Sequence, residues 1–413
     1  MLKNQLSASG MVLIQGPKWC GKTTTAEQQA GSILYMDLPR TRASNLLLAE
    51  TDPQVLFQGD VPRLIDEWQL APKLWDAARF EVSHRGKPGQ LIFTGSAVPP
   101  DMSELTHSGT GRVAWLTMRP MSLWESGDSN GKVSVASLFN GEFSPAESVD
   151  ISLKELAFLV SRGGWPGSLE LSRDAALLQA MNYLNGVIHS DISRADNVRR
   201  DPESALRLLR SYARHQGQQV PVSTIYADLS GNGMPSMGED TIVSYIQALK
   251  KIFVIEDMPA WSPNLRSKTA IRTSDTRYFV DPSIAVAAMA VGTDDLLNDL
   301  NTFGLFFETL AVRDLRVYAD ALGGQVYHYR DKNGLECDAV IHLRNGNFGL
   351  VEIKLGGDTL IDGGAETLLK LSSKLDTQKM KQPSFLMVLT GIGQYAYCRK
   401  DGVYVVPIGC LKN

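Results

Sequence analysis

The chain has 413 residues, 43% of them hydrophobic and 21% charged, with a formal net charge of −4. That length supplies buried cores for about two to four domains, and the composition excludes a disordered chain. The mildly acidic balance excludes a uniformly basic coat for nucleic acid, so any contact with DNA needs a local patch.

Cys20, Cys337, Cys398 and Cys410 form no C-x-x-C pair. That argues against a zinc site or a disulfide framework and for free thiols in a reducing compartment. The longest apolar stretch, Ile284 to Val291, is too short to cross a membrane, and no secretion signal is visible. The expectation is a cytoplasmic protein with no membrane partner.

In chain order, Met11-Val12-Leu13-Ile14 reads as a buried strand close to Met1. Little room is left upstream for an extra helix, which points to a trimmed or misassigned start. Gly16-Pro17-Lys18-Trp19-Cys20-Gly21-Lys22-Thr23 follows, with the spacing G-x-x-x-x-G-K-T, and leads into a helical stretch from Thr23 to Ala30. Strand, glycine loop and helix together define a phosphate cradle. Gly16 and Gly21 let backbone N–H groups turn inward. Lys22 reaches the β- and γ-phosphates, Thr23 ligates Mg²⁺, and the loop from Gly16 to Thr24 supplies the nucleotide contacts. The competing reading is a glycine turn before an ordinary helix.

Residues 33–37, 63–67 and 90–96 read as further strands, with a helix from Pro72 to Arg85. Strands alternating with helices predict a parallel sheet covered on both faces. Asp66 and Glu67 end the third strand. There Asp66 can support the metal and Glu67 can activate water. Thr94 and Ser96 end the next strand, within reach of a γ-phosphate. Arg112 lies in the loop Gly109-Thr110-Gly111-Arg112, where an arginine can stabilise phosphoryl charge in cis or across a subunit.

Residues 127–149 read as a Gly-, Ser- and Asn-rich loop closing the nucleotide domain. Helices follow to about 200, broken at Gly163-Gly164-Trp165-Pro166-Gly167. Pro202 to His215 is a helix with Arg207, Arg210 and Arg214 on one face. That stripe is either phosphate-facing or simply solvated. Two more helices, 222–229 and 240–251, precede a strand at 253–256, which is the order of a winged helix-turn-helix.

The C-terminal part predicts a helix from Leu305 to Tyr318 and strands over 326–330, 335–343 and 348–354. Asn333-Gly334 and Asn345-Gly346 mark the hairpin turns. Alternation puts Glu352 and Lys354 on one face. Asp338 and Glu352 as metal ligands, with Lys354 and a helix-borne Glu308, match the D…E-x-K pattern of PD-(D/E)xK nucleases. The competing reading is a set of exposed charges on a two-sided sheet.

With these residues in place, the chain resembles the bacterial and archaeal AAA-type ATPases that carry the DUF4143 region. The resemblance rests on the phosphate loop, Leu-Ile-Asp-Glu-Trp-Gln at 64–69, Phe-Thr-Gly-Ser-Ala at 93–97 and Gly-Arg-Val at 111–113. It extends through Arg-Pro-Met-Ser-Leu at 119–123, Gly-Gly-Trp-Pro at 163–166, Phe-Phe-Glu at 306–308 and Glu-Cys-Asp…Glu-Ile-Lys. It implies an α/β multidomain protein in four parts. These are an AAA-type parallel sheet over 1–127, a helical lid or linker over 128–200, a winged-helix middle over 201–295 and a restriction-endonuclease-like domain over 296–413. Ser96 becomes a sensor candidate and Arg112 a candidate finger. The implied activity is Mg²⁺-dependent ATP binding and hydrolysis that repositions the C-terminal modules. The alternatives are an ATP-gated DNA nuclease, or a nucleotide-loaded DNA-binding regulator or scaffold with little turnover. DNA, a protein of unknown identity and a second copy of the chain are the candidate partners.

Overall fold

Five short strands carry the nucleotide half: β1 (Met11–Gln15), β2 (Ser32–Tyr35), β3 (Arg63–Asp66), β4 (Leu91–Gly95) and β5 (Val113–Thr117). The computed structural model describes residues 1–96, 111–230, 237–263, 274–376, 378 and 380–413. All five strands run parallel, in the order β2-β3-β4-β1-β5. Their near-continuous apolar runs are what a sheet covered on both faces requires. Met11, Leu13, Ile65 and Phe93 face one core with Leu74, Trp75 and Val82 of helix Leu74–Arg85. Val12, Ile14, Leu64 and Ile92 face the other, with Ala26 of helix Lys22–Glu27.

That second core also contains Leu2 and Leu6 of a helix at Leu2–Ala8. The space before the phosphate loop therefore does hold a helix, contrary to the sequence reading. Its two leucines cover the sheet face that the short helix Lys22–Glu27 leaves open.

The chain divides into two compact units. The first gathers Met1–Pro120, His189–Arg200 and Tyr245–Val254, and the second Met121–Ile188, Asp201–Ser244 and Ile255–Asn413. In the second unit the stretch expected to be loop forms β6 (Val133–Ser134), helix Val135–Phe139 and β7 (Ala146–Glu147). These strands are too short to show a period in the sequence.

The second unit's main sheet contains β8 (Gly324–Arg330), β9 (Glu336–Leu343), β10 (Phe348–Lys354), β11 (Phe385–Thr390), β12 (Tyr395–Cys398) and β13 (Tyr404–Pro407). Its order is β7-β12-β13-β11-β10-β9-β8. β8, β9 and β10 form an antiparallel meander, while β10 runs parallel to β11 across the helix Asp358–Lys374. β14 (Leu411–Lys412) pairs with β6.

Helices Pro202–Arg214, Val222–Leu229 and Glu239–Lys251 form in the expected order. The strand expected at 253–256 does not. Phe253 has a φ of 58°, and isolated bridges follow instead: Ile255 to Phe279 and Met258 to Thr276, both antiparallel, and Ala260 to His328, parallel. Arg207 and Arg210 of the arginine stripe are used internally, donating to Leu229 O and Ala288 O, while the exposed Arg214 pairs with Asp228 at 3.5 Å. Gly109 and Thr110, and most of the loop expected after Leu229, lie outside the described residues. Among the described residues no helix is long and apolar enough to cross a membrane.

Candidate functional site

The phosphate loop leaves the C-terminal end of β1 and enters helix Lys22–Glu27 through Gly21, whose φ is 95°. Gly16 is at φ 151°, and a Cβ there would sit 2.0 Å from Met118 O, so no side chain fits. Trp19 also lies in the left-handed region, at φ 65°. Strain of this kind persists only where the surroundings hold it.

Lys22 is buried and donates from Nζ to Pro17 O at 2.7 Å. Burial pushes its ammonium below the usual lysine range, against the pull of Cys20, Glu67 and Asp66. On the loop's outer side, Lys18 pairs with Asp191 at 2.6 Å and Trp19 is exposed. Pro17 and Cys20 are buried, and Thr24 is exposed.

Thr23 Oγ1 donates to Asp66 Oδ1 at 2.9 Å, and Thr94 Oγ1 donates to the same oxygen. The register pairs Asp66 with Thr94, so both stand at the end of the sheet where the loop begins. Burial raises the Asp66 carboxyl above its ordinary value, and the two threonine bonds offset part of that. Glu67 sits at φ 56°, its carboxylate accepting from Gln69 Nε2. Burial and the neighbouring Asp66 raise it as well. Ser96 is buried one residue beyond β4.

The donors around Thr23 and Asp66 are oxygens, which suits a hard divalent cation such as Mg²⁺. Arg112 lies elsewhere. Its carbonyl accepts from Met11 N at 3.3 Å, at the start of β1 and β5. The loop leaves the opposite end of these parallel strands. Five residues of strand span roughly 16 Å, so Arg112 cannot act as a finger on its own chain's phosphate loop.

In the second unit, Lys354 Nζ lies 2.9 Å from Asp338 Oδ2 and 2.7 Å from Glu352 Oε2. Ile353 N donates to Asp338 Oδ2 at 2.7 Å. Glu308 accepts from Tyr278 Oη. A Cβ on Gly217, whose φ is 70°, would lie 2.8 Å from Glu308 Oε1. Burial and the nearby Asp338 push Glu308 and Glu352 up to about 8. Burial alone would lower Lys354, but Asp338 and Glu352 reverse this and raise it.

The structure thus gathers Asp338, Glu352 and Lys354, with Glu308 in their field. A shared metal does not fit this arrangement. The Lys354 ammonium stands between the two carboxylates where the cation would go. Among the described residues no group of three or more His, Cys, Asp or Glu is placed to hold a metal ion.

Tyr278, Gly217 and Gln69 were missed in the sequence. Tyr278 is 30 residues from Glu308, and no local pattern links them. Gln69 lies only two residues after Glu67, so proximity in the sequence is the one signal for that contact.

Three family models match the chain: an AAA domain over residues 8–126, a domain of unknown function (DUF8612) over 153–295, and a domain of unknown function (DUF4143) over 303–411. The chain therefore joins an AAA-type nucleotide-binding domain to a DUF4143 region, the combination that the sequence resembles. No curated protein matches it. Among solved structures, the Walker-type ATPase PABY2304 of Pyrococcus abyssi is 14% identical, with a TM-score of 0.42, over 70% of this chain and 93% of that one. The ORC2 protein of Aeropyrum pernix is 14% identical, with a TM-score of 0.29, over 72% and 91%. The ORC1 protein of the same organism, in complex with DNA, is 11% identical, with a TM-score of 0.26, over 70% and 88%.

Proposed function

We propose that the protein is a Mg²⁺-dependent ATPase whose nucleotide state repositions its C-terminal modules. The observation that carries this reading is the constellation at the end of the parallel sheet. A buried Lys22 lies inside the loop, and Asp66 is held by both Thr23 and Thr94. Lys22 binds the phosphates, Thr23 and Asp66 would hold Mg²⁺, and Glu67 takes a proton from the attacking water. Bound Mg²⁺ would offset phosphate charge. Ser96, at the end of β4, senses the terminal phosphate. Lys22→Ala removes a charge-assisted phosphate contact and should weaken ATP binding at least about tenfold, or about 1.4 kcal/mol. Equal affinities for the two proteins in calorimetry would sink the proposal.

The modules are proposed at 1–127, 128–200, 201–295 and 296–413. Three helices followed by antiparallel bridges support a winged-helix-like middle. The helix, meander and βαβ order supports a nuclease-like last module. DNA is its candidate ligand. Arg112, excluded in cis, is proposed to act only across a homo-oligomer.

A second reading, an ATP-gated nuclease, draws on the gathering of Asp338, Glu352 and Lys354. The Lys354 bridge weighs against it. Metal-dependent plasmid cleavage that Asp338→Ala abolishes, with ATP hydrolysis intact, would establish it. The same intact protein failing to cut with Mg²⁺ or Mn²⁺ leaves the cluster structural.

A further inference from the structure

Glu67 carries its carboxylate on a left-handed backbone, at φ 56°. For a residue with a Cβ that conformation persists only where the surroundings hold it. Glu67 thereby leaves the line of β3 and opens the short turn Trp68–Leu70. Two residues on, Gln69 donates from Nε2 to Glu67 Oε2.

The amide makes this bond at a cost. Gln69 Oε1 is buried and has no hydrogen-bond partner among the described residues. Buried carbonyl oxygens are rarely left so. Half a turn of the amide would bring Oε1, an acceptor, against the Glu67 carboxylate, also an acceptor. Contact with Glu67 therefore sets the amide's orientation, where packing alone would leave both orientations open. A second element shapes the seat. At the end of β4, a Cβ on Gly95 would lie 2.8 Å from Gln69 Oε1 and 3.1 Å from Trp68 Nε1. The Gly95 backbone is not left-handed, so space and not conformation calls for glycine there. Ser96 follows directly, so the amide that holds Glu67 also packs against the strand leading to Ser96.

We propose, on the ATPase reading with Glu67 as the base, that Gln69 is a positioning residue for hydrolysis. Its amide fixes the Glu67 carboxylate for the attacking water, and Gly95 keeps the seat of that amide open. Gln69 takes no proton and acts only through Glu67. Its removal therefore lowers kcat and leaves ATP binding as it is, because a misaimed base costs rate without costing affinity.

The test measures ATP affinity and steady-state hydrolysis in the full-length protein. Gln69→Met keeps the volume and removes the donor. It should lower kcat at least about tenfold, with ATP affinity within about twofold and an unchanged thermal midpoint. Gly95→Ala drives a methyl group into the seat from the other side and should lower kcat by a similar factor. Two double-variant cycles separate positioning from general damage. Added to Glu67→Gln, Gln69→Met should lower kcat by less than about twofold more, and Gly95→Ala added to Gln69→Ala likewise. Wild-type kcat in Gln69→Met or in Gly95→Ala overturns the proposal. So does a Gln69→Met loss that multiplies in full with that of Glu67→Gln, or one matched by an equal loss of ATP affinity. Those outcomes leave the ATPase reading standing. A wild-type protein that binds ATP and hydrolyses none overturns that reading and the role of Gln69 together.

Discussion

Glu67 is the residue whose role can be isolated most cleanly. It stands next to Asp66 but turns away through a left-handed backbone, and Gln69 holds its carboxylate. A cβ on Gly95 would lie 2.8 Å from Gln69 Oε1, so glycine there keeps room for that contact. Glu67→Gln keeps the shape and removes the proposed base. ATP binding should persist while hydrolysis falls on the order of 10²-fold. Wild-type turnover in a phosphate-release assay would assign the base elsewhere. Glu308 and Glu352 give a second prediction, in pH. Both are raised to about 8, so the folded chain keeps protons that the unfolded chain loses near the ordinary glutamate value of about 4.3. The native state binds more protons across that window. Stability therefore falls as pH rises from about 4.5 through 8, then levels off. The thermal midpoint of the second unit should be lower at pH 9 than at pH 5. Glu308→Gln should flatten that slope, and an unchanged slope would remove Glu308 as its source.

At the scale of elements, the Gly-Gly-Trp-Pro segment is explained by packing. Arg313 is buried and pairs with Asp281 at 2.8 Å and with Asp314 at 2.8 Å. Gly164 N donates to Asp281 Oδ2, Leu123 N to Asp314 Oδ2, and Trp165 Nε1 to Ser283 Oγ, which itself bonds Asp281. A Cβ on Gly163 would meet Asp281 Oδ1 at 2.3 Å, and Gly163 is at φ 74°. Four sequence segments, at Leu123, Gly163–Trp165, Asp281–Ser283 and Arg313–Asp314, thus close on one buried ionic network. Arg313→Met leaves two buried carboxylates without their cation and should cost about 3–5 kcal/mol in denaturant unfolding. A loss below about 1 kcal/mol would show that the pair is not the organising contact. The network was invisible in the sequence because its members come from distant stretches and ordinary residue types. The parallel strands were legible because burial on both faces writes apolar runs such as Met11 to Ile14 and Leu91 to Phe93. The hairpins were legible because Asn333-Gly334 and Asn345-Gly346 supply turn chemistry. β6 and β7, two residues each, had no such signal. Lys354 was placed on the right face by alternation, but alternation says nothing about which acid it would bridge.

At the scale of the whole molecule, the nucleotide unit is not one continuous stretch. It takes His189–Arg200 and Tyr245–Val254 from the region matched by the DUF8612 model, 153–295. Within that unit, Lys18 of the phosphate loop pairs with Asp191. The proposed coupling of nucleotide state to the rest of the chain would start from this pair, within the first unit. Arg200 reinforces the inserted stretch: its guanidinium binds Asp196 at 2.6 Å and lies 5.3 Å from the Tyr245 ring. Nucleotide coupling should then appear in hydrogen exchange of the Glu67→Gln protein with and without ATP. Protection should change over the phosphate loop and also over 189–200 and 245–254. Asp191→Asn should shrink the change in the inserted stretches, while ATP affinity shifts by no more than about fivefold, as suits a partly exposed ion pair. Protection changes confined to residues 16–24 would leave ATP binding standing but remove the route by which it reaches the rest of the chain.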